Sequence, residues 1–196
     1  MALVFNGSSN TIGGLAVGGL PDGIVDEDMI AANAVTAAKI PTEGITTTKF
    51  GNHGIIQVVE NTYSTAVEIT STTWTDSGLT VNITPTTNTN KILVIVSQAM
   101  STHRNTNSAQ GGIKLLRDST LIAGGTHSHS IGIRTDGVSG VWSRQYINLM
   151  KLDDPQTTSQ LTYKIQGRDG TGNDGPEIKF QDDSMISTIV VMEVVA

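Results

Sequence analysis

From Gly54 to the C-terminus the apolar positions fall in short β-branched runs separated by clusters of Asn, Asp, Gly, Ser and Thr. After the first run, Ile55 to Glu60, and Trp74, the pattern predicts strands at Leu79 to Ile83, Ile92 to Met100, Gly112 to Leu116, Thr120 to Ile122, and Val141 to Met150. Leu161 to Gln166, Ile178 to Phe180, and Ile186 to Val195 complete the series. Many short strands with such spacers read as an antiparallel sandwich or barrel. Leu161-Thr162-Tyr163-Lys164-Ile165-Gln166 alternates cleanly, which predicts one face in water. Ile92 to Val96 and Ile189 to Val195 are almost continuously apolar, so cover is expected on both faces: a sandwich core on one side and a neighbouring subunit on the other. The predicted fold is all-β, a jelly-roll-like β-sandwich knob over residues 53–196.

The first 52 residues have a different texture. Residues 1–22 are Gly-rich and almost uncharged, carry Leu3, Val4, Phe5, Ile12, Leu15 and Val17, and end at the turn sequence Leu20-Pro21-Asp22-Gly23. That is too apolar for a plain solvated tail and predicts a docking segment, the alternative being a disordered leader. A repeat spaced by ten residues follows over 23–52. In each unit a β-branched residue (Val25, Val35, Ile45) precedes a capping type (Asp26, Thr36, Thr46), and a larger apolar residue (Ile30, Ile40, Phe50) lies four positions after the cap. One helical turn is unstable alone, so stacked units need neighbours along the chain or from other chains. The expectation is a short oligomeric stalk. A single amphipathic helix from Asp26 to Lys39, stopped by Pro41 and Gly44, is the alternative.

Composition narrows the function classes. Charged residues are only 15% of 196, and 12 Lys+Arg stand against 18 Asp+Glu, so a net charge of −6 gives no general attraction to phosphate backbones and nucleic acid is not an expected partner. With no Cys, disulfides, thiolate metal sites and Cys nucleophiles are excluded. No Lys or Arg precedes Lys39, so the basic start of a secretory signal is missing. The apolar run from Ile12 to Leu20 is shorter than the ~20 residues a membrane-spanning helix needs, and no membrane insertion is expected.

Met1 to Ile40, with its Phe-Asn-Gly-Ser start, its Gly-Gly-Leu-Pro-Asp-Gly-Ile-Val turn and its Ala-Asn-Ala-Val-Thr-Ala-Ala-Lys-Ile repeat, resembles the N-terminal arm of fibre and knob proteins of marine, cyanophage-like tailed bacteriophages. Ser77 to Pro85, Asn90 to Val96, Gly112 to Arg117 and Ser187 to Glu193 resemble the C-terminal knob of the same proteins. The resemblance implies a homotrimeric virion appendage, assembled in the host cytoplasm, whose N-terminal segment (Leu3, Val4, Phe5, Leu15, Val17) docks on a tail nozzle, an adaptor or the capsid. Val25, Ile30, Val35, Ile40, Ile45 and Phe50 would line the trimer stalk, and the head would face a host surface. With only three repeat units the shaft would be stubby. A capsid decoration or tail adaptor protein with no receptor role is the alternative, and a free-standing β-sandwich lectin or glycan hydrolase a third.

Candidate chemistry is sparse. His127-Ser128-His129 places two imidazoles on one side of a strand, and three chains around an axis would supply six nitrogens to an octahedral metal; the plainer reading is a glycine-flanked exposed loop. Asp169 to Gly175 has the oxygen-rich look of a calcium loop but lacks the required Gly and Glu, and reads better as a long hairpin connection. Gly137-Val138-Ser139-Gly140-Val141 misses the last glycine of a nucleophile elbow. No enzymatic activity and no cofactor is expected. Receptor contacts are expected on polar loops: His103 to Gln110 with Arg104, Asn105 and Asn107; His127 to Gly137 with Arg134 and Asp136; and Gln166 to Asp174 with Arg168 and Asp169. Such groups suit a host-surface glycan. The aromatics Tyr63, Trp74, Trp142, Tyr146, Tyr163 and Phe180 sit mostly in strand-like runs and are expected to pack in the core or an interface.

Overall fold

The computed structural model describes residues 4–6, 11–13, 32, 35–40, 54–104, 108–125, 131–134, 140–170 and 178–195. The chain divides into two compact units, Met1–Thr46 and Thr47–Ala196. In the first, β1 (Val4–Asn6) pairs antiparallel with β2 (Thr11–Gly13), and Ala37–Lys39 forms a 3-10 turn closed by the Lys39 N–H donating to the Thr36 carbonyl at 2.9 Å. That turn follows the capping-type residue of the middle repeat unit. Val35 is 56% exposed there and Ile40 is half-buried.

The second unit is all-β, built from two antiparallel sheets. Its strands are β3 (Ile55–Tyr63), β4 (Val67–Ile69), β5 (Thr75–Ile83), β6 (Lys91–Arg104), β7 (Ser108–Arg117), β8 (Thr120–Gly124), β9 (Ile131–Arg134), β10 (Val141–Asp153), β11 (Leu161–Asp169), β12 (Ile178–Phe180) and β13 (Ser187–Val194). The six-stranded sheet runs β3-β13-β6-β12-β4, with β10 along the other edge of β6. The five-stranded sheet runs β5-β11-β7-β8, with β9 continuing the β8 edge of β7. The apolar runs read from residue 55 onward coincide with strands, with Ile186 and Val195 falling just outside β13. Within this unit two of the described strands lie outside the predicted ones: β4, and β9, which falls in the stretch expected to be an exposed loop. The connection after Asp169 is not a hairpin either, because β11 belongs to the five-stranded sheet and β12 to the six-stranded one.

Period-two alternation sends one face of each sheet inward. Leu79, Val81, Leu115, Tyr163 and Ile165 of the five-stranded sheet meet Ile92, Val94, Val96, Ile189 and Val191 of the six-stranded sheet in the main core. Ile69, Met100, Ile113, Ile178 and Phe180 form a second cluster. The two sheets approach closely where Gly167 faces Phe180: a Cβ at that position would overlap the edge of the buried phenyl ring, so a larger residue would push the sheets apart.

Polar groups inside the sandwich tie its parts together. Gln181, buried with a left-handed backbone (φ 50°), has its amide placed to donate to the carbonyls of Ser77 and Thr65 and to accept from Gln98 Nε2 and Ser187 Oγ. Glu193 lies within the apolar C-terminal run yet points inward and is fully buried. Gln57 Nε2 donates to its Oε2 at 2.6 Å, while the Thr86 N–H, Thr86 Oγ1 and Asn90 Nδ2 each donate to Oε1 at 2.7 Å. No cation among the described residues takes part; a carboxylate held by neutral donors latches the loop before β6 onto β13. Burial resists its ionisation, but the hydrogen bonds from Asn90, Gln57 and Thr86 outweigh that and hold its pKa below the usual glutamate value.

A folded pKa below the unfolded one stabilises the fold above the unfolded value of ~4.3, and this contribution is lost as pH falls through the folded value. Glu193→Gln presents an amide NH₂ to the same ring of donors, and should cost about 1–3 kcal/mol at neutral pH while flattening the acid limb of stability. Urea unfolding between pH 3 and pH 7 measures both. An unchanged acid limb in the variant would show that the latch is not the titrating element.

Candidate functional site

The two outer faces of the sandwich differ in kind. On the five-stranded sheet the outward positions are mostly polar, apart from Leu116 and the 40% exposed Leu121 opposite it: Lys164 Nζ lies 3.1 Å from Asp76 Oδ2, Gln166 Nε2 donates to Asp76 Oδ1 at 2.6 Å, and the Thr162 hydroxyl donates to Asn82 at 2.8 Å. Nearby, Lys114 Nζ sits 4.4 Å and Arg168 Cζ 5.6 Å from the centre of the Trp74 ring. Burial, then the neighbouring Lys164, push the Lys114 pKa below its ordinary value, and Asp76 only partly offsets them. This face is built for water.

On the six-stranded sheet the register aligns apolar side chains on the outside. Residues directly opposite in antiparallel strands share a face. Because Ile92, Val94, Val96, Ile189 and Val191 face the core, their alternates face outward. One outward row crosses the sheet as Val58, Met192, Leu93 and Leu152, and the next as Glu60, Val190, Ile95 and Met150. Val58 is 56% exposed, Ile95 37%, Met150 69% and Leu152 50%. The two continuously apolar runs are thus covered on the core side, while their second face is open in the single chain.

Further along β6 and β10 the same outer face changes character. Thr188, Ser97 and Asn148 form a polar row, and beyond it lie Tyr146, Arg144 opposite Ser101, and Trp142 opposite His103. The His103 imidazole stacks on Trp142 with centroids 4.0 Å apart and an interplanar angle of 28°, and Arg144 Cζ lies 5.2 Å from the Trp142 ring centre. Arg144 also bridges Asp182 (Nε to Oδ2, 3.0 Å) and Asp183 (2.8 Å). Lys179 reaches Asp182 at 3.5 Å and Glu68 at 3.3 Å. Burial opposes the Asp182 charge, but hydrogen bonds from Arg144 and Ser101 and the charges of Arg144 and Lys179 outweigh it, and the pKa is lowered.

The described ends of the predicted receptor segments meet at this end of the sandwich. Arg104 ends β6 opposite Val141, Arg134 ends β9 opposite Ser108, and Asp169 ends β11 opposite Gly111. Asn105, Asn107 and Asp136 lie outside the described residues. Arg168 is half-buried against Trp74 on the five-stranded sheet. Asp169 is 1% exposed on the inward side of β11, so it is not a surface contact of this fold. Val4 and Phe5 lie in β1, whereas Leu3, Leu15, Val17, Val25, Ile30, Ile45 and Phe50 lie outside the described residues. So do His127 and His129, between β8 and β9. Among the described residues no group of three or more His, Cys, Asp or Glu could hold a metal, and no helix is long and apolar enough to cross a membrane. At the opposite end a shallow open depression of about 410 Å³ is lined by Asn88, Thr89, Asp154 and Gln156.

Of the aromatics expected in the core or an interface, Tyr163 and Phe180 are in the core, while Trp142 is 47% and Tyr146 48% exposed in the single chain. The signal for these was present: Trp142, Arg144 and Tyr146 are spaced by two on an edge strand, so all share one face. Which face that is depends on pairing with β6.

No protein-family model and no curated protein matches the chain. Among solved structures, the chain is similar to the VP2 subviral particle of infectious bursal disease virus: TM-score 0.36, 15% identity, over 71% of this chain and 37% of that one. It is also similar to dimeric latent PorU from Porphyromonas gingivalis (TM-score 0.34, 13% identity, 72% of this chain and 13% of that one). A third similar structure is the C-terminal domain of EclA, a sugar-binding protein (TM-score 0.27, 11% identity, 67% of this chain and 76% of that one). The chain therefore spans well under half of the first two. Similarities this distant carry no argument about function, which rests on the residues above.

Proposed function

We propose that this chain is the subunit of a homotrimeric virion appendage: a jelly-roll-like knob packed against its copies, with residues 1–52 forming the docking arm and a short stalk. The observation that carries this reading is the outer face of the six-stranded sheet, where Val58, Ile95, Met150 and Leu152 stand exposed in register, while on the opposite outer face Leu121 is the exposed large apolar side chain among the described residues. Contiguous exposed apolar area of this kind marks an interaction surface, and identical copies offer one another the same surface. The resemblance of the arm and knob sequences to fibre proteins of tailed phages supports a place on the particle, with the loop end of the knob directed at the host surface. The three-unit repeat favours a short appendage, so a capsid-decoration or tail-adaptor position is the second reading.

Two measurements test it. Sedimentation equilibrium of the full chain at micromolar concentration should give three protomers; a compact monomer would overturn the reading. Electron microscopy of particles labelled with antibody against the knob should place it at the tail for the first reading, and over the capsid for the second.

A further inference from the structure

We propose that the aromatic half of the outer six-stranded face, Trp142 with His103, Arg144, Tyr146 and Asp183, is a binding platform for a neutral saccharide. The inference deepens the host-attachment reading and rests on it only for the source of the sugar. Trp142 and Tyr146 stand four residues apart on β10, hence roughly 13 Å along one face, and each keeps nearly half its surface in water. Trp142 is held in place. His103 stacks on it, and Arg144, itself anchored on Asp182 and Asp183, lies against its ring. Ring orientation is therefore set before a ligand arrives, which removes part of the ordering cost of binding.

The chemistry around the rings selects the ligand class. A pyranose has an apolar C–H face that lies flat on an aromatic ring and a rim of hydroxyls that both donate and accept. Beside the rings stand an acceptor, Asp183, 70% exposed, and a donor, Arg144, 41% exposed. The linked charges Glu68, Lys179, Asp182, Arg144 and Asp183 alternate in sign and sum to −1 (two cations, three carboxylates), in a chain of net charge −6. That favours uncharged sugars over sulfated or carboxylated ones. A second protein chain fits less well, because the greasy rows that suit one lie at the other end of the sheet, past Ser97 and Asn148.

The test uses the full chain with Trp74→Phe, so that Trp142 is the only indole, titrated with dextran, mannan and galactan, and with dextran sulfate as the charged counterpart. At least one neutral polysaccharide should shift Trp142 emission saturably. Trp142→Ala (followed by calorimetry) and Tyr146→Ala should each weaken that binding at least tenfold, with the circular dichroism and sedimentation of the parent retained. Three results would each overturn the platform: no neutral polysaccharide binding, variants binding as well as the parent, or preference for dextran sulfate. Loss of assembly in Trp142→Ala would mean that the rings serve a protein interface instead. A failure here with the trimer intact refutes the platform alone; a monomer that still binds sugar refutes the assembly reading alone.

Discussion

Replacing Asp153 with Ala is expected to destabilise the knob by about 3 kcal/mol, the largest single-residue effect in this fold outside the apolar core. Asp153 ends β10 in the six-stranded sheet and points inward. Its Oδ2 accepts from the Tyr163 hydroxyl of β11 at 2.8 Å and from Arg117 of β7 at 2.7 Å, so one carboxylate oxygen ties both sheets together. Burial, then the hydrogen bond to Asp153, raise the Tyr163 pKa far above its ordinary value, which keeps the phenol a donor at every pH of interest. Without Asp153 the hydroxyl has lost its acceptor in the core and the guanidinium its counter-charge.

Losing one partner of a fully buried pair costs about 3–5 kcal/mol, but Arg117 is 20% exposed and recovers some water, which places the effect at the low end. Tyr163→Phe, which removes the hydroxyl and leaves the ion pair, should cost only about 1 kcal/mol. Urea denaturation at one fixed protomer concentration measures both, because assembly makes apparent stability concentration-dependent. A cost for Asp153→Ala no greater than for Tyr163→Phe would show that the ion pair contributes nothing.

The second large effect is on association. Ile95→Asp with Met150→Asp should leave the protomer folded, since both side chains already face out, and should weaken self-association by more than about 100-fold. The two positions are opposite one another on β6 and β10, so the double substitution puts paired like charges in the middle of the apolar rows. Covering a large aliphatic side chain is worth ~1.5–3 kcal/mol when complete, so losing even half of that at two sites exceeds two decades in affinity once carboxylate desolvation is added. Sedimentation should show monomer with the parent circular dichroism spectrum. Retained assembly would move the interface elsewhere, and a lost spectrum would mean these residues hold the protomer itself together.

Both predictions turn on facing, which the sequence conveys unevenly. Leu161 to Gln166 alternates in composition, and its buried residues fall on the alternate positions as the pattern implies. In Ile92 to Val96 every residue is apolar, so composition cannot say which side is the core; packing assigns Ile92, Val94 and Val96 inward and leaves Leu93 and Ile95 out. Glu193 shows the opposite failure. A carboxylate in a strand reads as solvent-facing, and only the loop carrying Thr86 and Asn90, more than a hundred positions away, makes it an interior latch. The segment around Ile131 was read as loop because glycines and serines flank it, yet its backbone finds hydrogen-bond partners on β7.

Local pattern is enough to read the all-β class, the change of texture near residue 52 and the placement of nearly every long strand. These follow from local preference and period-two patterning, which act between near neighbours. Pairing across the fold sets which strands share a sheet, and hence that the exposed apolar rows Val58 to Leu152 and Val190 to Met150 gather on one outer face. It also decides that Trp142 and Tyr146 stand in the open beside a network of alternating charge. The physical reason is that facing is a property of pairing register: shifting a strand by one residue exchanges its two faces without changing a letter of the chain.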